Sequence, residues 1–209
     1  MATINWMNTS RADVTSDIHF ALNTRTTSIG IKFLDLAYKN KKLLLQTPKM
    51  CAPFGINTQC KSEDRFEITL RFEENISLHN QFHRMLKAIE DYVIQYMFEH
   101  QEILGVNGKT YEIIADKLCS CIKQHQQYGK SIVPKVETID GKFKVNIFNA
   151  NNVAGAKVTA KSLNHVLIEI PSVWISSGRF GIQMKCIQMQ TFASEEKIIE
   201  GCAIVDLKE

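Results

Sequence analysis

Polar and apolar residues alternate with a period of two through several stretches of this chain, and each such stretch predicts a half-buried strand. The clearest runs from Arg65 to Phe72, with Phe66, Ile68, Leu70 and Phe72 on one face and Arg65, Glu67, Thr69 and Arg71 on the other. Two hairpins follow the same rule. SIGIKFLDLAY, residues 28–38, leads through Lys39-Asn40-Lys41 into KLLLQT, and Ile132 to Glu137 leads through Asp140-Gly141 into Lys142 to Phe148. In the second hairpin Phe143 has the parity of Val145 and Ile147, which reads as core. The stretch from Lys161 to Phe192 forms a strand pair closed by Ser176-Ser177-Gly178. Its second half changes phase, because Ile182, Met184 and Cys186 share one parity while Ile187 and Met189 share the other. One extra residue at a β-bulge does this. Pro171 cannot donate to a ladder and is expected at an edge or a kink.

Between these strands the period lengthens. Leu78, Phe82, Met85, Leu86, Ile89, Val93, Tyr96 and Met97 recur at helical spacing as far as His100, with Asn75 or Ser77 as the capping residue. Gly105 to Lys109 breaks that helix. Tyr111, Ala115, Leu118 and Ile122 then mark a second one, ending before Gly129. The order predicts a mainly β fold with a helical insert: an OB-type, five- to seven-stranded Greek-key barrel. The expected organisation is a flexible arm over residues 1–27, the barrel over 28–192 with its insert at about 76–126, and a short acidic tail over 193–209.

Composition narrows the function classes. At 44% hydrophobic residues the chain has a real core. It lacks an apolar run of membrane-spanning length and an N-terminal signal core, so an intracellular, non-secreted protein without membrane contact is expected. The six cysteines show neither CxxC pairs nor a framework spacing, which favours reduced thiols. Net charge is only +3, yet residues 1–60 carry +4, 61–128 carry −3, 129–192 carry +5 and 193–209 carry −3. The strand-rich blocks are basic, which would give the folded molecule one positive face.

The motifs of nucleotide-, serine- and zinc-dependent enzymes, GxGxxG, GxxxxGK[ST], GxSxG and HExxH, are missing, and no catalysis or cofactor is expected. The best metal candidate joins His79 and His83 with Cys119, Cys121 and His125. Two thiols spaced CxC on a helix point to different faces, so the expectation is no metal site. The basic blocks do interleave cations with flat rings. Lys32, Lys42, Lys49, Phe54, Lys142, Lys144, Trp174, Arg179, Phe180 and Lys185 are the candidate nucleic-acid contacts, the cations to track phosphates and the rings to stack on bases. Phe54 and Phe180, each beside a glycine in a polar turn, are the expected exposed rings. Trp174 is as readily a core anchor as a base contact.

On these residues the chain resembles the OB-fold single-stranded DNA-binding proteins of large eukaryotic DNA viruses, a family similar to the replicative single-strand binder of short-tailed coliphages. The resemblance spans roughly residues 28 to 192 and rests on KLLLQTPKMCAPFGI, the long inserted helix, VPKVETIDGKFKVNIF and VWISSGRFGIQMKCIQMQTF. It implies sequence-independent binding of single-stranded DNA, with RNA left open, in replication, recombination or repair at sites in the host cytoplasm or nucleus. It places the contacts at Lys49, Phe54, Trp174, Arg179 and Lys185, and implies replication proteins as partners; the strand-like Cys202-Ala203-Ile204-Val205 is expected to pack on the barrel or on a second copy of the chain in a homo-oligomer. The ending EEKIIEGCAIVDLKE departs from the family's long acidic tail with a terminal aromatic, which puts partner recruitment through the tail in doubt. The competing reading is a non-enzymatic viral structural or protein-interaction module.

Overall fold

The computed structural model describes residues 3–4, 16–58, 66–126 and 129–192. All three expected turns are present, and each places its two central residues at positive φ: Lys39 at 48° with Asn40 at 57°, Asp140 at 50° with Gly141 at 72°, and Ser177 at 50° with Gly178 at 72°. Two such residues in succession match the right-handed twist of the flanking strands, so each turn closes a tight hairpin.

The larger sheet runs Ile122–His125, Gly129–Ile132, Leu70–Arg71, Met50–Ala52, Ser162–Glu169, Lys185–Phe192, Lys135–Val136, Phe66–Ile68 and Ile56–Thr58 in hydrogen-bonded order. A second sheet runs Arg179–Ile182, Ser172–Ser176, Lys32–Tyr38 and Ile18–Thr26. Pro171 stands at the kink where the chain leaves the first sheet for the second, and its carbonyl accepts from the Leu36 N–H at 2.9 Å. The bulge sits where the phase changes: Leu167 opposes Gln188 and Ile168 opposes Cys186, so Ile187 is the extra residue. The strands curl into a half-barrel of OB type with one main helix.

That helix, Ser77–Glu99, buries Phe82, Met85, Leu86, Ile89, Val93 and Met97 against the barrel core. Its N-cap position falls on Ile76, without a side-chain cap, rather than on Asn75 or Ser77. The opposite flank grips the second sheet. Tyr92 Oη donates to the Ile18 carbonyl at 2.7 Å, and Phe20 stacks on Tyr96 with centroids 3.7 Å apart.

Four sequence expectations need correction. Residues 18–26, expected within a loose arm, form a strand paired with Lys32–Tyr38, because Tyr92 and Tyr96 give Phe20 a ring surface to pack on. The second helix stops at Ala115; Ile122–His125 is strand, paired with Gly129–Ile132. Phe143 is 41% exposed and lies edge-on to Phe66 at 5.1 Å. It pairs with Thr138 in a separate two-stranded ribbon, so the phase it shares with Val145 on paper is broken before Asn146–Phe148. Fourth, Cys119 and Cys121 lie beyond the end of the short helix, not on it. The expected tail, residues 193–209, lies outside the described residues.

Candidate nucleic-acid interface

One cleft, of about 690 Å³, draws side chains from both sheets and from the segment after the short helix. The alternation of Phe66 to Phe72 builds its floor. Ile68, Leu70 and Phe72 enter the core, which turns Glu67, Thr69 and Arg71 to the cleft. Neighbouring strands supply Ser131, Val133 and Lys135 by the same parity, and Lys123 and His125 come from the strand beyond. Phe54, 47% exposed, and Trp174 both line the cleft.

A glycine neighbours each ring, Gly55 in sequence and Gly181 across the strand pair, and the two are there for different reasons. Gly55 sits at φ +68°, and a Cβ there would meet the Val158 carbonyl oxygen at 3.1 Å, so both conformation and space hold the Phe54 turn against the 158–160 loop. Gly181 is not among the glycines at positive φ, but its Cβ would meet Trp174 Cζ2 at 2.7 Å, Cε2 at 2.8 Å and the Cys119 carbonyl oxygen at 2.9 Å. Trp174 and Gly181 are cross-strand partners. The indole lies flat over the space that the missing side chain leaves, an aromatic covering a cross-strand glycine.

The cationic groups outnumber the acids: Arg71, Lys123 and Lys135 against Glu67, with Arg71 Nη2 also 3.1 Å from Glu73 Oε1. Ser131 is buried on the cleft wall, and its hydroxyl has no hydrogen-bond partner among the described residues. A buried hydroxyl left unpaired is costly.

The wall formed by Cys119, Ser120 and Cys121 is fixed from beneath by Glu90, a fully buried carboxylate on the long helix. Glu90 Oε1 accepts from Ser120 Oγ and from the Cys121 backbone N–H, both at 2.7 Å, and Oε2 accepts from Lys87 Nζ at 2.6 Å. Burial alone would raise its pKa, but the bonds from Lys87, Ser120 and Cys121 outweigh it and hold the group below the usual carboxylate range. Burial and the Glu90 charge push the Cys121 thiol well up. The other flank of the segment pairs with the second sheet, Cys119 N–H donating to the Phe180 carbonyl at 2.7 Å.

The ten residues singled out from sequence divide sharply. Phe54 and Trp174 share the cleft. Arg179, exposed and in register with Ser176, projects from the same face of its sheet as Trp174. Phe180 is a correction: it is 0% exposed, because the two-residue turn sets it opposite Ile175 on the core side. Lys32 stands in register with Ile175, on the face opposite Trp174. Lys42 lies 3.0 Å from the nearly buried Glu169 carboxylate, and Lys49 Nζ lies over the Phe192 ring at 4.1 Å. Glu137 takes Lys185 at 2.5 Å and Lys144 at 3.6 Å, and Lys142 is exposed on the separate ribbon. Arg71, Lys123 and Lys135 were not among the ten, although Arg71 was visible in the polar face of its strand.

The metal candidates do not converge either. The Glu73 backbone N–H donates to His79 Nδ1 at 2.9 Å, so Nε2 carries the proton and donates to the Lys49 carbonyl at 2.9 Å. Both ring nitrogens are thereby engaged.

No family model matches the chain, and no curated protein matches it. Solved structures do. The single-stranded DNA-binding protein gp2.5 of bacteriophage T7 is similar over 78% of this chain and 99% of that one, with a TM-score of 0.50 at 8% identity. The single-stranded DNA-binding protein of bacteriophage Enc34 is similar over 75% of this chain and 83% of its own, with a TM-score of 0.46 at 11% identity. The same protein in complex with single-stranded DNA gives 0.42 at 9% identity, over 84% and 93% of the two chains. At such identities the likeness to the T7 protein is one of fold.

Proposed function

We propose that this chain binds single-stranded DNA without sequence preference and without catalysis, in the cleft lined by Phe54 and Trp174. One observation carries the reading. Two rings 120 residues apart in sequence line a single cleft together with Arg71, Lys123 and Lys135, and one of them, Trp174, lies over Gly181. Bases stack on the rings, the cations follow the phosphates, and neither contact depends on base identity. Lys123, His125 and the Cys119–Cys121 segment line the cleft as well. The half-barrel shared with the T7 protein supports the reading as a fold suited to this ligand. Replication, recombination or repair as the process, and a large eukaryotic DNA virus as the setting, rest on the sequence resemblance alone.

Fluorescence anisotropy with labelled oligo-dT tests this at two salt concentrations, beside a duplex of equal length. Binding that weakens with salt and favours the single strand is expected. Equal affinity for the duplex, or none for either, would turn the assignment toward a protein-interaction module.

A further inference from the structure

Trp174 does not stand alone on its face of the second sheet. In the strand on its other side the direct cross-strand partner is Phe33, and Phe33 is in turn opposite Arg25. Direct partners in antiparallel strands project to the same face, about 5 Å apart. Gly181, Trp174, Phe33 and Arg25 therefore form one row across four strands.

The burial pattern sets Leu34 and Leu36 inward, so Phe33 faces out with Asp35 and stays only partly covered. An outward phenylalanine adds little to the core. The indole of Trp174 lies over Gly181, on the side away from Phe33. Arg25 braces the ring from its far side, its guanidinium carbon 5.8 Å from the ring centroid. That guanidinium is also bound to Asp35 at 2.5 Å.

We propose that Phe33, braced by Arg25, is a second stacking station on the same trough, taking a base of the strand that also lies on Trp174. The proposal rests on the single-strand reading above and extends it from the cleft onto the open sheet. A stacked strand advances about 3.4 Å per nucleotide, so stations about 5 Å apart suit bases one or two positions from each other. Because the Arg25 charge is already answered by Asp35, this station contributes stacking and little phosphate attraction. Its loss should weaken binding without altering the salt dependence, unlike the loss of a cleft lysine.

The experiment uses the full chain and labelled oligo-dT over a salt series, with Phe33→Leu, Trp174→Leu and Lys135→Gln, each checked by thermal melting. Phe33→Leu should bind about 5- to 150-fold more weakly, with an unchanged slope of log K against log salt. Lys135→Gln should lower that slope by about 0.7. Wild-type affinity in Phe33→Leu, with Trp174→Leu and Lys135→Gln both impaired, would overturn the second station and leave the single-strand reading intact. Failure of the wild type to bind oligo-dT would overturn both. If Phe33→Leu does not fold, Phe33→Trp in a Trp174→Phe background replaces it. Quenching of its emission by oligo-dT beyond that of Trp174→Phe alone supports the station, and an unchanged signal overturns it.

Discussion

Gly181→Ala is the smallest change that tests whether the indole is a binding surface or a core anchor. The added Cβ would lie 2.7 Å from Trp174 Cζ2 and 2.9 Å from the Cys119 carbonyl oxygen, where ordinary contact begins at 3.4 Å. A gap of roughly 0.7 Å must open. The Cys119 side cannot retreat freely, since its N–H is bonded to Phe180 at 2.7 Å and the next two residues are bonded to Glu90. The ring moves instead. Overpacking of this kind costs about 1–3 kcal/mol of stability, and an unseated indole forfeits up to the ~1–3 kcal/mol that base stacking supplies. The assay is a double-mutant cycle with Trp174→Leu, read by oligo-dT anisotropy and by urea denaturation. In the parent, Gly181→Ala should weaken binding about 5- to 150-fold. With residue 174 already leucine it should change affinity less than about twofold, while the contact with Cys119 keeps part of the stability cost in both backgrounds. Binding losses that add to within about 0.5 kcal/mol would refute the seat.

Three further outcomes follow from the same geometry. Phe180→Ala should cost about 3–5 kcal/mol in urea unfolding with little effect on affinity once folded, whereas Phe54→Ala should weaken oligo-dT binding about 5- to 150-fold and leave unfolding nearly unchanged. Lys135→Gln and Lys123→Gln should each lower the salt slope of oligo-dT binding by about 0.7, while Lys32→Gln, on the far face of its sheet, should not. Glu90→Ala strips the acceptor from Ser120 and the buried Cys121 N–H, while the half-exposed Lys87 stays solvated, and should destabilise by about 1–3 kcal/mol. Because the folded pKa of Glu90 lies below the unfolded one, its stabilisation is full above the ordinary glutamate range near pH ~4 and is lost as pH falls through the folded value. The wild type should therefore lose stability in acid more steeply than Glu90→Ala, as measured by denaturation at pH 3 to 7.

Local rules explain why the strands were legible. Asn40, Asp140-Gly141 and Gly178 give each turn at least one residue that tolerates positive φ, and the shift in parity at Ile187 locates the bulge without any tertiary information. The fate of Phe180 was legible as well. A two-residue turn at Ser177-Gly178 pairs Ser176 with Arg179, hence Ile175 with Phe180, and Ile175 belongs to the apolar parity of its strand. Reading the ring by its glycine neighbour overrode the stronger signal of register. Phe143 failed for the opposite reason, because alternation was extended across a bend that breaks the ladder. The partners of the lysines were beyond reach. That Glu137 takes both Lys144 and Lys185, or that Lys42 answers Glu169, depends on pairings between strands distant in sequence.

The cleft depends most on what sequence could not supply, the wall from Cys119 to Cys121. Its backbone is tied at one end to Phe180 and at the other to Glu90, so the barrel sheet and the inserted helix hold it jointly. A carboxylate at the centre of a helix's apolar stripe looks like a mistake in the pattern, since burying the charge opposes folding. Here it is offset by three donors, two of which belong to the wall. Replacing it with leucine would improve the stripe on paper and release the segment against which Trp174 and Gly181 are packed. The helix thus does more than plug the barrel: through Glu90 it holds the Cys119–Cys121 segment that lines the cleft beside Trp174 and Gly181.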